Sequence, residues 1–114
     1  MATPSSSVSC EVISHENFQQ INLVGSLSDD ATATVRELLL ELVANGHSKL
    51  VVDLSGVAYI SSSGIGTLVS VLKKCTGSKV EFALVNLGDD IKELFALTRL
   101  DQVFTIAADG SAWE

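Results

Sequence analysis

The residues best able to do chemistry form one run, Ser61-Ser62-Ser63-Gly64-Ile65-Gly66. Its three adjacent hydroxyls follow the apolar pulse Val57 to Ile60 and precede a helical stripe of Ile65, Leu68, Val69 and Leu72, so they stand where a strand gives way to a helix N-terminus. Free backbone N–H groups and the helix dipole favour negative charge there, and a phosphate on one of these serines would be tolerated by the fold itself. The plainer reading is that the serines cap the helix while Gly64 and Gly66 let it pack closely on a sheet.

Enzyme chemistry finds little support around this run. Gly64-Ile65-Gly66-Thr67-Leu68 continues to Val69 where the dinucleotide fingerprint needs a third glycine. A nucleophile elbow would need G-x-S-x-G and a histidine. The two histidines, His15 and His47, fall in a hairpin turn and just past a helix end, far along the chain from the serines. No His, Cys or paired carboxylates occur at metal-ligand spacing, so neither a metal nor another cofactor is expected. Asp53 is expected to order the turn after its strand. Cys10 and Cys75 read as reduced thiols packed as small apolar groups.

The elements that must position the serines alternate. Ser9 to Ser14 and Phe18 to Val24 predict a hairpin turning at His15, Glu16 and Asn17, with Gly25 breaking the second strand. Ser28 can cap a helix with Asp29 and Asp30 in its first turn and an apolar stripe of Ala31, Val35, Leu38, Leu39, Leu42 and Val43, ended by Asn45 and Gly46. The continuous run Leu50-Val51-Val52 before Asp53 is the pattern of a central strand buried on both faces. After the serine loop and its helix, Val80 to Val85 gives another strand. A helix follows with Ile91, Leu94 and Phe95 on one face, and Val103 to Ile106 a last short strand. Hairpin, helix, strand, helix, strand, helix, strand implies an α/β fold: one domain with a mixed central sheet of about five strands, packed by three to four helices.

Composition agrees with one domain and narrows its partners. The 114 residues are 46% apolar, enough for a single core. Despite a mean hydropathy of +0.37, no apolar run reaches the roughly 18 residues of a spanning helix, and no membrane insertion is expected. Residues 1–7 are polar and Ser-rich, read as a flexible tail without a secretory signal, which makes the cytoplasm the default compartment. A formal charge of -7 opposes direct nucleic-acid binding and suits an electropositive protein partner. Aromatic residues are only 5% of the chain, too few for a base-stacking platform.

Three segments, in order, resemble the STAS domain family, in particular its small stand-alone anti-sigma factor antagonists. Leu23-Val24-Gly25-Ser26-Leu27-Ser28 resembles the family's apolar-x-Gly-x-Leu-Asp approach to the first helix. Leu50-Val51-Val52-Asp53-Leu54-Ser55 with Tyr59-Ile60-Ser61-Ser62-Ser63-Gly64-Ile65-Gly66 resembles its central strand and phosphorylation loop. The segment from Ile91 to Phe104 resembles its third helix and the turn into the last strand. The resemblance implies a STAS domain over 8–114 that binds an anti-sigma factor with serine kinase activity. Phosphorylation would release it, and a PP2C-type phosphatase would restore it. The family's modified serine maps to Ser62, with Ser63 as the neighbouring alternative, and the partner surface to Gly25, Ser28, Asp29, Ser61, Ser62, Ser63, Gly64, Ile65 and Gly66. Two family aspartates are serines here, Ser28 and Ser61, both still able to cap a helix. Two other readings are a STAS scaffold or transport-complex subunit that is not phosphorylated, and a nucleotide-binding protein or enzyme using the serine loop.

Overall fold

The computed structural model describes residues 8–16, 18–28, 30–46 and 48–107. The expected tail over 1–7, and Asn17, Asp29 and His47, lie outside the described residues. Strand β1 (Val8–Ser14) turns through His15 to Phe18 into β2 (Gln19–Leu27), the His15 N–H donating to the Phe18 carbonyl at 2.9 Å. Helix α1 (Asp30–Ala44) leads to β3 (Lys49–Ile60), α2 (Ser62–Gly77) to β4 (Glu81–Val85), and α3 (Asp89–Leu97) with a 3-10 turn (Leu100–Gln102) to β5 (Thr105–Ala107). The sheet order is β1-β2-β3-β4-β5, antiparallel between β1 and β2 and parallel beyond, as the alternating pattern predicts.

Strand order equal to chain order means that every crossover steps the same way, and right-handed crossovers then place their helices on one face. The side chains show this arrangement. Ile21, Leu23, Leu50, Val52, Leu54, Phe82 and Leu84 pack in one cluster with Val35 and Leu39 of α1, Leu68 and Val71 of α2, and Ile91 and Phe95 of α3. The alternate strand residues Val51 and Val85 pack instead with Phe18 and Ala107. With all helices on one side, the ends of β2, β3 and β4 and the starts of α1, α2 and α3 share one edge of the molecule.

Four local expectations change. Gly25 does not break β2, which runs on to Leu27; the glycine takes φ +119° between two register shifts and absorbs the irregularity. Leu50 to Asp53 and Val57 to Ile60 are one strand of 12 residues, in which Lys49 pairs only with β4, Leu50 to Asp53 pair on both sides, and Gly56, Val57, Tyr59 and Ile60 pair only with β2. Asp53 therefore lies within a strand rather than at its end. Its Oδ1 accepts the Ser55 N–H at 2.8 Å and its Oδ2 accepts the Asn86 amide at 2.8 Å, joining β3 to the loop after β4. Finally, β5 begins at Thr105, because the chain from Leu100 to Gln102 coils into the 3-10 turn and leaves Val103 54% exposed.

Candidate functional site

The serine loop is built from the end of β3 upward. Ile60 pairs with Leu27 of β2, and the Ser61 N–H donates to the Leu27 carbonyl at 3.0 Å, which ties the loop to the start of the β2–α1 connection. Ser61 has extended backbone angles and is the N-cap of α2, its Oγ accepting the Gly64 N–H at 3.0 Å. The same oxygen lies 2.8 Å from the Ser63 hydroxyl and 3.4 Å from the Leu27 carbonyl. One proton arrangement satisfies every group: Ser63 donates to Ser61, and Ser61 donates to Leu27. The Ser63 hydroxyl is then engaged in the cap.

Ser62 differs. It is exposed, it is the first residue of α2, and its hydroxyl makes no hydrogen bond among the described residues. The first turn of α2 holds no acidic residue, unlike that of α3 with Asp89 and Asp90, so the positive end of a 16-residue helix is not offset by carboxylates of its own first turn. A dianion on Ser62 would meet free N–H groups and a favourable dipole.

The glycines divide into two kinds. Gly64 is buried, and a Cβ there would overlap the Leu27 carbonyl oxygen and crowd the Leu27 and Ile60 side chains. Its role is packing of α2 onto β2, so it presents no surface to a partner. Gly66 is exposed with nothing within 4 Å of a Cβ placed on it, so nothing in this chain's packing requires glycine there. A helix-interior glycine costs ~1 kcal/mol relative to alanine, and open space beyond it suits close approach by another molecule.

Of the other sequence-predicted surface residues, Ser28 is half-buried beside Leu27, its carbonyl accepting the Ala31 N–H at 3.0 Å. Ser61 and Ile65 are half-buried and Ser63 exposed in the loop and first turns of α2. Gly25 sits back from this edge, paired with Val8 and Val57. The buried line of α2 is Gly64, Thr67, Leu68, Val71 and Cys75, turned from the expected stripe, in which Ile65, Val69 and Leu72 are half-buried. Tyr59, 56% exposed just before the loop, is a surface residue that the motif alone did not single out.

Catalytic geometry does not assemble around the serines. His15 lies at the β1–β2 turn, at the far end of β2 from the loop, stacked on Phe18 with centroids 4.3 Å apart and its Nε2 2.9 Å from Gln20 Oε1. Among the described residues no cluster of His, Cys, Asp or Glu could hold a metal ion, and no helix is long and apolar enough to cross a membrane. Both thiols are free: Cys10 is half-buried with its pKa raised by burial, and burial pushes the Cys75 thiol up to about 11.

Comparison with known proteins bears on the family and the fold. The anti-sigma-B factor antagonist of Bacillus subtilis is 29% identical over 101 residues, 89% of this chain and 92% of that protein. The crystal structure of an anti-sigma factor antagonist from Mycobacterium paratuberculosis superposes with a TM-score of 0.78 at 25% identity, covering 94% of this chain and 91% of that one. The Bacillus cell fate determinant SpoIIAA in its phosphorylated form shares the fold, with a TM-score of 0.70 at 16% identity over 91% of this chain and 96% of its own. The STAS domain model matches residues 9–110, from the first strand through the whole sheet and the serine loop. The one-faced helical layer, the five-stranded mixed sheet and this match lead to one assignment: the chain belongs to the STAS domain family.

Proposed function

We propose that this chain is an anti-sigma factor antagonist, a non-catalytic switch whose unphosphorylated form binds an anti-sigma factor with serine kinase activity in the cytoplasm. The domain spans 8–114 and contacts the partner through Ser28, Asp29, Ser61, Ser62, Ser63, Ile65 and Gly66, with Gly25 shaping the strand behind them. Phosphorylation of Ser62 ends the complex, and a PP2C-type phosphatase restores it. The observation that carries this reading is the free Ser62 hydroxyl on a helix N-terminus without acidic residues in its first turn, between capping serines that are already bonded. A phosphoserine adds about -1.5 to -2 charges and a tightly hydrated group. At a close interface it opposes binding, while the helix dipole keeps the isolated fold intact. To move a complex from 99:1 bound to 1:99, the phosphate must weaken it by about 5.5 kcal/mol.

The test is reconstitution with the anti-sigma factor kinase of the same organism. Binding before ATP, one phosphate on Ser62 after ATP, and dissociation on phosphorylation are expected. Binding without phosphate transfer would favour the second reading, a constitutive STAS scaffold or transport-complex subunit. That reading draws on the neutral hydroxyls at Ser28 and Ser61, where the family pattern has aspartates.

A further inference from the structure

Two of the large apolar side chains left exposed in this chain stand on adjacent strands beside the serine loop: Val24 on β2, 54% exposed, and Tyr59 on β3, 56% exposed. Val24 pairs with Gly56, and Ser26 pairs with Tyr59, so both side chains project from the sheet face opposite the helices. Gly56 makes room for the first of them. A Cβ on Gly56 would stand 2.7 Å from Val24 Cγ2, so Val24 lies over Gly56 of β3. The neighbours Ser9, Ser26, Gly56 and Ala58 are small, which leaves the two apolar groups raised above a low surround. Ala58 also lines a cleft of about 390 Å³ with Val57, Gly88, Asp89, Asp90 and Ile91, and both carboxylates of that cleft are exposed.

We infer that Tyr59 and Val24 anchor a second half of the partner footprint, taking an apolar side chain of the anti-sigma factor whose neighbouring lysine or arginine meets Asp89 and Asp90. The inference rests on the reading of the serine loop as a partner surface and extends it around the edge of the sheet. Continuity supports it. Tyr59 is three residues from Ser62 and Val24 four from Ser28, at most about 11 and 14 Å of chain. A standard interface of about 800 Å² per partner is a patch roughly 16 Å in radius. A footprint of that size centred on Ser62 reaches Tyr59, and Val24 adjoins it on β2, whose Ser26 pairs with Tyr59. Charge supports it too, because Asp89 and Asp90 line a cleft with Ala58, the residue before Tyr59, on a chain of net charge -7, which selects a basic partner over a second copy of the same acidic chain. Tyrosine is also among the residues that most often dominate interface energetics.

The experiment measures affinity of the full chain for the purified anti-sigma factor kinase of the same organism, for wild type, Tyr59→Ala, Val24→Ser, Asp89→Asn with Asp90→Asn, and Ser62→Asp. Melting temperatures confirm that each variant is folded. Tyr59→Ala and Val24→Ser should each weaken binding tenfold or more, and the double Asp variant should slow association and flatten its salt dependence. Affinities within twofold of wild type for both Tyr59→Ala and Val24→Ser would overturn the inference while Ser62→Asp still weakens binding, leaving the proposed function standing. A wild-type chain that binds no anti-sigma factor removes both. A wild-type dimer that Tyr59→Ala dissociates would also overturn it, assigning the patch to self-association.

Discussion

Gly64 packs so closely against Leu27 that a single methyl group on it would overlap the Leu27 carbonyl oxygen. That carbonyl already accepts the Ser61 N–H, so the methyl would press on the bond that ties the serine loop to β2. Gly64→Ala is expected to cost about 1–3 kcal/mol in denaturant unfolding, as overpacking of a close contact does. Gly66→Ala, two residues on, meets open space and should gain up to ~1 kcal/mol from helix propensity. Opposite signs for one substitution at neighbouring positions would separate the packing glycine from the one kept free of a side chain. A stabilised Gly66→Ala chain that also binds its partner more weakly would assign that freedom to the interface.

The hydroxyl network distinguishes the serines. Ser62→Ala should abolish phosphate incorporation with little change in stability, because its hydroxyl bonds nothing among the described residues. Ser63→Ala should leave Ser62 a substrate, and Ser61→Ala should lose the cap at a cost of about 1 kcal/mol. Site-resolved mass spectrometry after incubation with the kinase, beside chemical denaturation, reads both quantities. Phosphate on Ser63 in the wild-type chain would reverse the assignment.

Restoring the family aspartates is a direct test of what Ser28 and Ser61 do. An aspartate at 61 can still accept the Gly64 N–H and also the Ser63 hydroxyl, so Ser28→Asp with Ser61→Asp should keep the fold. It adds two negative charges beside Ser62. Faster association with a basic partner surface is expected, most clearly at low salt. Unchanged phosphorylation and affinity would show that these positions do not set partner engagement.

Much of this architecture is legible in the sequence because parallel strands between amphipathic helices leave two distinct periodicities. Leu50-Val51-Val52 reads as a central strand and Val80 to Val85 as another strand, and Leu50 to Val52 and Phe82 to Val85 are buried on both faces. The serine loop was legible for a similar reason, since hydroxyls between an apolar strand end and a helical stripe have few other places to be. What was not legible depends on neighbours distant in the chain. Gly25 looks like a breaker until β3 is beside it, and Asp53 looks like a turn residue until Asn86 arrives 33 positions later. The α2 stripe misleads because Gly64 and Thr67 do not look like core residues, yet they lie against the sheet while Ile65 is half-buried.

Asp53 makes a testable claim about the long β3 strand. Asp53→Ala would leave the Ser55 N–H and the Asn86 amide without their acceptor and should cost about 1–3 kcal/mol in unfolding free energy. Asn86 holds φ +57°, a conformation that asparagine tolerates better than most residues, so the variant should also loosen the loop that leads into α3. Hydrogen exchange at Asn86 to Gly88 would report that loosening, and unchanged protection there would show that the carboxylate does not hold the loop.

The thiols predict an alkaline limit. Burial raises Cys75 to about 11 in the fold from an ordinary 9.0, so the folded chain holds this proton more tightly than the unfolded one. Its contribution to stability is complete below pH 9 and is lost as pH rises toward 11. Cys75→Ala should remove part of the alkaline fall in melting temperature. At neutral pH, alkylation of Cys75 in the native chain should proceed only through unfolding.

The edge that carries the serine loop is assembled from the ends of three strands, and the residues that meet there are scattered from Val24 to Ile91 in the chain. No contiguous peptide can reproduce it, and a nascent polypeptide still emerging from the ribosome cannot display it until β4 has docked beside β3. A partner that recognises this edge therefore engages only chains folded at least through β4 and the start of α3. Each binding event also draws the population further toward the native state, since a ligand with no affinity for the unfolded chain stabilises the folded one by mass action.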